Sequence, residues 1–240
     1  MRLPDSWLAV AALVVLSMGG VVAIASAPRW RPPTGADAGQ RRAFVIGIFE
    51  DPSARNPWAR NGPNGTTWNQ YVAAGAAPML FNYTTHDDWV PLLAEDFPTP
   101  LMYDEATGLW RSTVHLRRDQ YWNDGTPITA HDVAFTFATV AAFGATRLGG
   151  NIATNYFPED VVGHVDALDD YAVEFFIKKR DARYRYGMLR GPIVQRGYWE
   201  PHVKAALASS DPLKTILGID VIDEPVAGAF LQGTWSCCSI

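Results

Sequence analysis

Residues 110–137 read WRSTVHLRRDQYWNDGTPITAHDVAFTF, and three consecutive elements follow from their order. At the start the residues alternate, with Trp110, Val114 and Leu116 on one side of an extended chain and Arg111, Thr113 and His115 on the other. A period of two marks a strand over 109–116 with one buried face. Asp124-Gly125 then signals a turn. Thr129, with Asp132 three positions later, has the form of a capping box at a helix start. Val133, Phe137, Val140 and Ala141 carry the apolar face of that helix until Gly144 ends it.

Outward from this segment the pattern stays mixed. Residues 161–177 read as a hairpin around the turn Asp169-Asp170, with Tyr171, Val173, Phe175 and Ile177 on one face of its second strand. Residues 199–208, WEPHVKAALA, read as a short helix with Pro201 in its first turn. On the N-terminal side, AFVIGIF at 43–49 has the compact apolar run of a buried strand. Residues 51–66 carry repeated proline and glycine breaks and read as a surface loop. Trp68, Tyr71, Val72, Gly75 and Met79 give 67–80 a helical spacing. Strands and helices in irregular order predict an α+β or mixed α/β class.

Composition bounds the function. In 240 residues, 48% are hydrophobic and 19% charged, which excludes a disordered chain. Twenty basic against 25 acidic residues give a net charge of −5, the wrong balance for a nucleic-acid surface. Residues 7–27 are a nearly unbroken apolar run of bilayer-spanning length, either a signal peptide or an uncleaved N-terminal membrane anchor. Ala23-Ile24-Ala25 fits a small-x-small cleavage site, while Arg2 is offset by Asp5 and Arg29 and Arg31 lie beyond the run. Residues 28–42 form a Pro-rich linker, leaving 43–240 as the folded part. Cys237 and Cys238 are adjacent, so no internal disulfide framework is expected.

Chemistry-bearing residues are present, but few of them form a pattern. Five acidic pairs (Asp87-Asp88, Glu95-Asp96, Asp104-Glu105, Glu159-Asp160 and Asp169-Asp170) raise the two-carboxylate arrangement of a glycoside hydrolase. Most sit at turns, where solvated loop ends and helix caps explain them as well. The histidines show no metal-ligand spacing, and no nucleophile elbow, phosphate loop or dinucleotide fingerprint is present. No catalytic residue, cofactor or metal is assigned. Trp58, Trp68, Trp89 and Trp122 fall in or beside loops, where stacking on a ligand competes with ordinary core packing.

The segment 110–137 resembles the signature of the family 5 extracellular solute-binding proteins, the peptide, nickel and oligosaccharide receptors of ABC importers. The resemblance rests on His115-Leu116-Arg117, Trp122, Asp124-Gly125-Thr126-Pro127, Thr129-Ala130, Asp132-Val133 and Phe135. Residues 91–95 (PLLAE), the hairpin 165–177, Ile193 with Tyr198-Trp199-Glu200, and 225–230 (PVAGAF) are similar to flanking family elements in the same order. Residues 232–240 depart from the pattern.

The resemblance implies the first lobe of a type II periplasmic-binding-protein-like fold, its second lobe missing, hence an N-terminal fragment left by a frameshift or a premature stop. It implies a substrate-binding component that captures peptides outside the cytoplasm and hands them to membrane permease subunits. The alternatives are an oligosaccharide receptor of the same family or a secreted carbohydrate-active hydrolase. A single lobe is expected to bind weakly. The ligand-binding residues it implies are Gly65, Thr66, Thr67 and Trp68 in the loop before the first helix, with Asn82 and Tyr83 on the strand that follows. Gly65 would allow close approach of a ligand to the backbone, the threonines would hydrogen-bond, and Trp68 would stack. Helix entry with Thr66 or Thr67 as N-cap explains the same loop without a ligand.

Overall fold

The computed structural model describes residues 56–60, 78–84, 86 and 88–219. The chain divides into units 1–43 and 44–240, and every described residue lies in the second. In chain order the elements are α1 (Pro57–Arg60), β1 (Phe81–Tyr83), β2 (Trp89–Pro91), β3 (Met102–Asp104), β4 (Leu109–His115), α2 (Ala130–Phe143), α3 (Ala145–Tyr156), β5 (Val162–Ala167), β6 (Ala172–Ile177) and α4 (Ala182–Tyr186), then a 3₁₀ turn (Met188–Arg190), α5 (Arg196–Leu207) and α6 (Pro212–Leu217). The class is mixed α/β, as expected.

Four antiparallel strands form one sheet in the order β3-β4-β6-β5. β4 pairs with β6 from Trp110↔Ile177 to His115↔Ala172, so the two helices between them are an insertion that must fold back. α2 does so across one face. Its Val133, Phe137 and Val140 are buried in one cluster with Val114, Val173, Phe175 and Ile177. Phe137 meets Phe157 and Phe175 edge-on at 4.9 and 5.4 Å, a geometry that adds to plain area burial. The short hairpin β1–β2 is a separate sheet. It is tied to the end of β4 by the Ala94↔Leu116 bridge and by Glu95 N–H donating to the His115 carbonyl at 2.8 Å.

Several expectations need correction. Ala141 is exposed, and Thr136 and Phe143 take the buried positions of α2 instead. The stretch 51–66 contains a helical turn, α1, whose Trp58 is buried and meets Trp199 edge-on. α5 begins at Arg196, so Pro201 lies inside it and forfeits the hydrogen bond to the Gly197 carbonyl. α3 has no counterpart in the sequence reading, because its Gly149-Gly150 pair breaks a helical pattern. The expected strand at 43–49 and nearly all of the helical stretch 67–80 lie outside the described residues.

One polar junction fixes how the helices meet. Asp132, 5% exposed, closes the capping box with Thr129 at the start of α2. Its Oδ2 accepts from Thr129 N–H at 2.8 Å and from Trp122 Nε1–H at 3.4 Å. Its Oδ1 accepts from Arg196 N–H at 2.8 Å, the first residue of α5. One turn along, Thr136 Oγ1 donates to the Asp132 carbonyl and accepts from Val194 N–H at 3.1 Å. Gln195, the N-cap of α5, donates to Asp124 Oδ2 at 2.7 Å and Thr126 Oγ1 at 2.8 Å. The turn 122–126, the start of α2 and the start of α5 thus share one hydrogen-bond network. Gly125, at φ 87, supplies the left-handed backbone that the turn requires.

Burial pushes the Asp132 carboxyl above the ordinary carboxylate value, against the pull of the N–H groups of Arg196, Thr129 and Trp122. An asparagine there would turn an N–H₂ toward those donors and leave buried groups unmatched. Asp132→Asn should therefore cost about 3 kcal/mol in urea denaturation. Thr129→Ala should cost about 1 kcal/mol and Thr129→Ser almost nothing. A loss from Asp132→Asn no larger than that from Thr129→Ala would contradict the junction.

Candidate functional site

Gly65, Thr66, Thr67 and Trp68 lie outside the described residues. Asn82 and Tyr83 lie on β1, and the structure places them in a cluster of rings and guanidinium groups. Asn82 Oδ1 accepts from Tyr83 N–H at 2.9 Å and from Arg190 Nη2 at 3.4 Å. The Arg190 guanidinium lies 4.8 Å from the centre of the Tyr83 ring. Tyr186 stacks on that ring at 5.8 Å, with 18° between the planes. Trp89, paired with Tyr83 across the hairpin, packs on Phe81, Tyr83 and Tyr186, and carries the Arg185 guanidinium at 5.2 Å. Arg185 and Tyr186 are exposed, while Asn82, Tyr83 and Arg190 are half-buried.

The local sequence explains this arrangement. β1 and β2 pair in register, which puts Tyr83 and Trp89 side by side. α4 is capped by Asp181, whose side chain accepts from Arg183 N–H at 2.9 Å, and it stops at Gly187. A Cβ at Gly187 would come within 2.0 Å of the Asn155 carbonyl oxygen, so glycine is what lets this turn pack against α3. The turn then delivers Arg190 to β1. The sequence reading found Asn82 and Tyr83 but missed Arg185, Tyr186 and Arg190. Their signal was the alternation of arginine and tyrosine in RYRY at 183–186, followed by Arg190.

The tryptophans left open fall mostly to the core. Trp58, Trp89 and Trp122 are all at least nine-tenths buried, at 6%, 9% and 2% exposure. A depression of about 600 Å³ at the signature turn is lined by Trp122, Thr126, His131, Gln195 and Tyr198. Its polar groups are largely consumed by the Asp132 network.

The acidic pairs do local work. Asp88 closes the β1–β2 turn with Thr84. Asp96 accepts from Phe97 N–H, and Asp104 accepts from Ala106 N–H and the Thr107 hydroxyl. Glu159 accepts from Thr146 N–H in the first turn of α3. Asp169 accepts from Tyr171 N–H, and Asp170 faces His131 at 3.3 Å. Asp160 and Asp181 grip Arg183 from two sides at 2.7 and 2.8 Å, with Lys179 completing the group. Hydrogen bonds from Arg183 and Lys179 hold Asp160 well below the usual carboxylate range, and those from Arg183 hold Asp181 at about 2. Among the described residues, no group of three His, Cys, Asp or Glu side chains is placed to hold a metal ion.

The family described as bacterial extracellular solute-binding proteins, family 5 Middle, matches residues 88–215, more than half of the 240. No curated protein matches the chain. Among solved structures, it is similar to the oligopeptide-binding protein of Thermus thermophilus complexed with a pentapeptide. There the identity is 20%, with 69% of this chain and 29% of that one covered, at a TM-score of 0.51. It is also similar to AppA of Bacillus subtilis in complex with a nonapeptide (18% identity, 61% and 27% covered, TM-score 0.49). A third is the periplasmic oligopeptide-binding protein of Thermotoga maritima bound to mannohexaose (25% identity, 64% and 25% covered, TM-score 0.48). The chain spans between a quarter and a third of the length of these structures.

The Arg183 group sets an acid limit on the α4 corner. Because the folded Asp181 titrates at about 2 rather than 3.8, its contribution to stability is present above the ordinary value and is lost as pH falls toward 2. In Arg183→Gln the Asp181 carboxyl should titrate closer to 3.8, and the stability lost between pH 4 and 2 should shrink. Carboxyl-detected NMR titration and urea melts across that range measure both, and an unmoved Asp181 would refute the assignment.

Proposed function

This chain belongs to the bacterial extracellular solute-binding proteins of family 5, and from that premise we propose that it captures peptides outside the cytoplasm for an ABC importer. The match over residues 88–215 carries the reading. That region holds the junction at Asp132 and, in Trp89, Arg185, Tyr186 and Arg190, most of the ring and guanidinium cluster around Asn82 and Tyr83. Such a cluster suits a peptide, offering hydrogen-bond donors for main-chain oxygens and flat surfaces for side chains. Gly65, Thr66, Thr67 and Trp68 would complete the site from the preceding loop. Membrane permease subunits would receive the ligand.

Residues 7–27 would take the folded part across the membrane, as a cleaved signal or as an anchor. They lie outside the described residues, among which no helix is long and apolar enough to cross a membrane. Catalysis is no part of the reading. Each acidic pair has at least one carboxylate committed to a turn, a helix start or an ion pair. An oligosaccharide is the second ligand class, favoured by the exposed face of Tyr186.

Two measurements test these statements. In a thermal-shift screen of tri- to pentapeptides against linear oligosaccharides, peptides should raise the melting temperature and be recovered intact. Stabilisation by the sugars alone would move the assignment to the second class. A reporter active only in the cytoplasm, fused after residue 42, should stay dark.

A further inference from the structure

The cluster on β1 and β2 is cationic in a chain of net charge −5, and among the described residues no carboxylate forms an ion pair with its Arg185 or Arg190. Four other arginines face carboxylates: Arg111 meets Glu174, Arg117 meets Asp119, Arg183 meets Asp160 and Asp181, and Arg196 meets Glu200, while Arg118 and Arg180 each lie singly on a ring. Arg185 and Arg190 lie instead on aromatic rings. The nearby Asp88 is engaged by Thr84 across the hairpin turn.

The hydrogen-bond inventory is lopsided in the same direction. Asn82 Oδ1, an amide acceptor in this corner, is used by Tyr83 N–H and Arg190. Among the described residues, no acceptor takes a hydrogen bond from the Asn82 amide nitrogen, the rest of the Arg190 fork or the Arg185 guanidinium. Arg190 Nε and Trp89 Nε1 are buried without an acceptor. The Asn82 amide and the outer N–H groups of the Arg190 fork are the donors that an acceptor-only ligand group would match. A planar fork half-buried on a ring, with an amide N–H₂ beside it, matches a carboxylate better than a single-point acceptor.

We propose that Arg190 and Asn82 form a carboxylate subsite, with Arg185 adding charge and the exposed ring of Tyr186 flanking the ligand residue that bears the acid. This rests on the peptide reading above and names the part of the ligand that the cluster takes. Tyr83, held between Arg190 and Tyr186, is a positioning residue that fixes the plane of the guanidinium. The acid is the peptide's own C-terminal carboxylate or an acidic side chain, two sources of one chemistry.

The test uses the full 240-residue chain and three peptides: Ala-Phe-Ala as free acid, Ala-Phe-Ala C-terminal amide, and Ala-Phe-Asp C-terminal amide. Binding is followed to millimolar concentration by NMR at the Trp89 indole N–H, assigned with Trp89→Phe. The free acid should bind at least about tenfold more tightly than its amide, a gap of about 1.4 kcal/mol. Arg190→Gln should close that gap, and Arg185→Gln, at an exposed position, should narrow it without unfolding the chain. Recovery of affinity in the Asp-containing amide would show that side-chain acids are accepted, and its absence would restrict the subsite to the C-terminus. Equal affinity for acid and amide, or a gap that survives Arg190→Gln, overturns the subsite and leaves the peptide reading standing. Failure of all three peptides to bind overturns both.

Discussion

The carboxylate of Asp132 is the constraint on which the rest of this fold depends. A charge that is almost wholly buried must be matched by donors, and here they come from three separated segments: Trp122 in the turn, Thr129 at the start of α2 and Arg196 at the start of α5. Two of them are helix N-termini, where the backbone carries partial positive charge. These donors therefore offset part of the carboxylate's desolvation, and the carboxylate ties the start of α2 to the start of α5. Thr136 and Gln195 repeat the principle on either side: Thr136 joins α2 to the residues before α5, and Gln195 joins the start of α5 to the turn 122–126. Apolar packing alone would let α2 slide on the sheet, whereas this network admits one register.

What could be read in the sequence divides along a physical line. The strand at 109–115, the turn at Asp124-Gly125, the capped helix at 130–143 and the hairpin at 162–177 were all visible, because each is written in local periodicity and turn chemistry. α3, α4 and α6 were not, since they are short or glycine-bearing and are held by tertiary contact. The start of α5 was misplaced by three residues for the same reason: its N-terminus is set by Asp132, 64 residues earlier, and not by a cap of its own. At the candidate site, Asn82 and Tyr83 were named, but Arg190 lies 108 residues beyond Asn82 in sequence, with Arg185 just before it, and no local pattern could bring them there.

Charge is distributed to a purpose that the net value hides. Among the described residues four arginines rest on rings: Arg118 on Tyr171, Arg180 on Trp110, Arg185 on Trp89 and Arg190 on Tyr83. Stacking restricts a guanidinium without neutralising it, so a held cation keeps its field for an incoming partner. In the Arg183 group the charge is spent internally on Asp160 and Asp181. Within the eight residues from 183 to 190, one arginine is therefore structural and two remain available, a division set by which neighbour each side chain meets.

The long reach of the Asp132 junction also bears on the order in which the chain can fold. Closing a contact across 64 residues costs, in loop entropy, on the order of 4 kcal/mol. The pairing of β4 with β6 closes a similar span. Until residues 193–196 have emerged, α2 can form its own cap but has nothing to lock against, and the buried carboxylate stays in water. The junction is thus a late latch: the region from β4 onward stays loose until residues 193–196 are present, and only then is it committed to one structure.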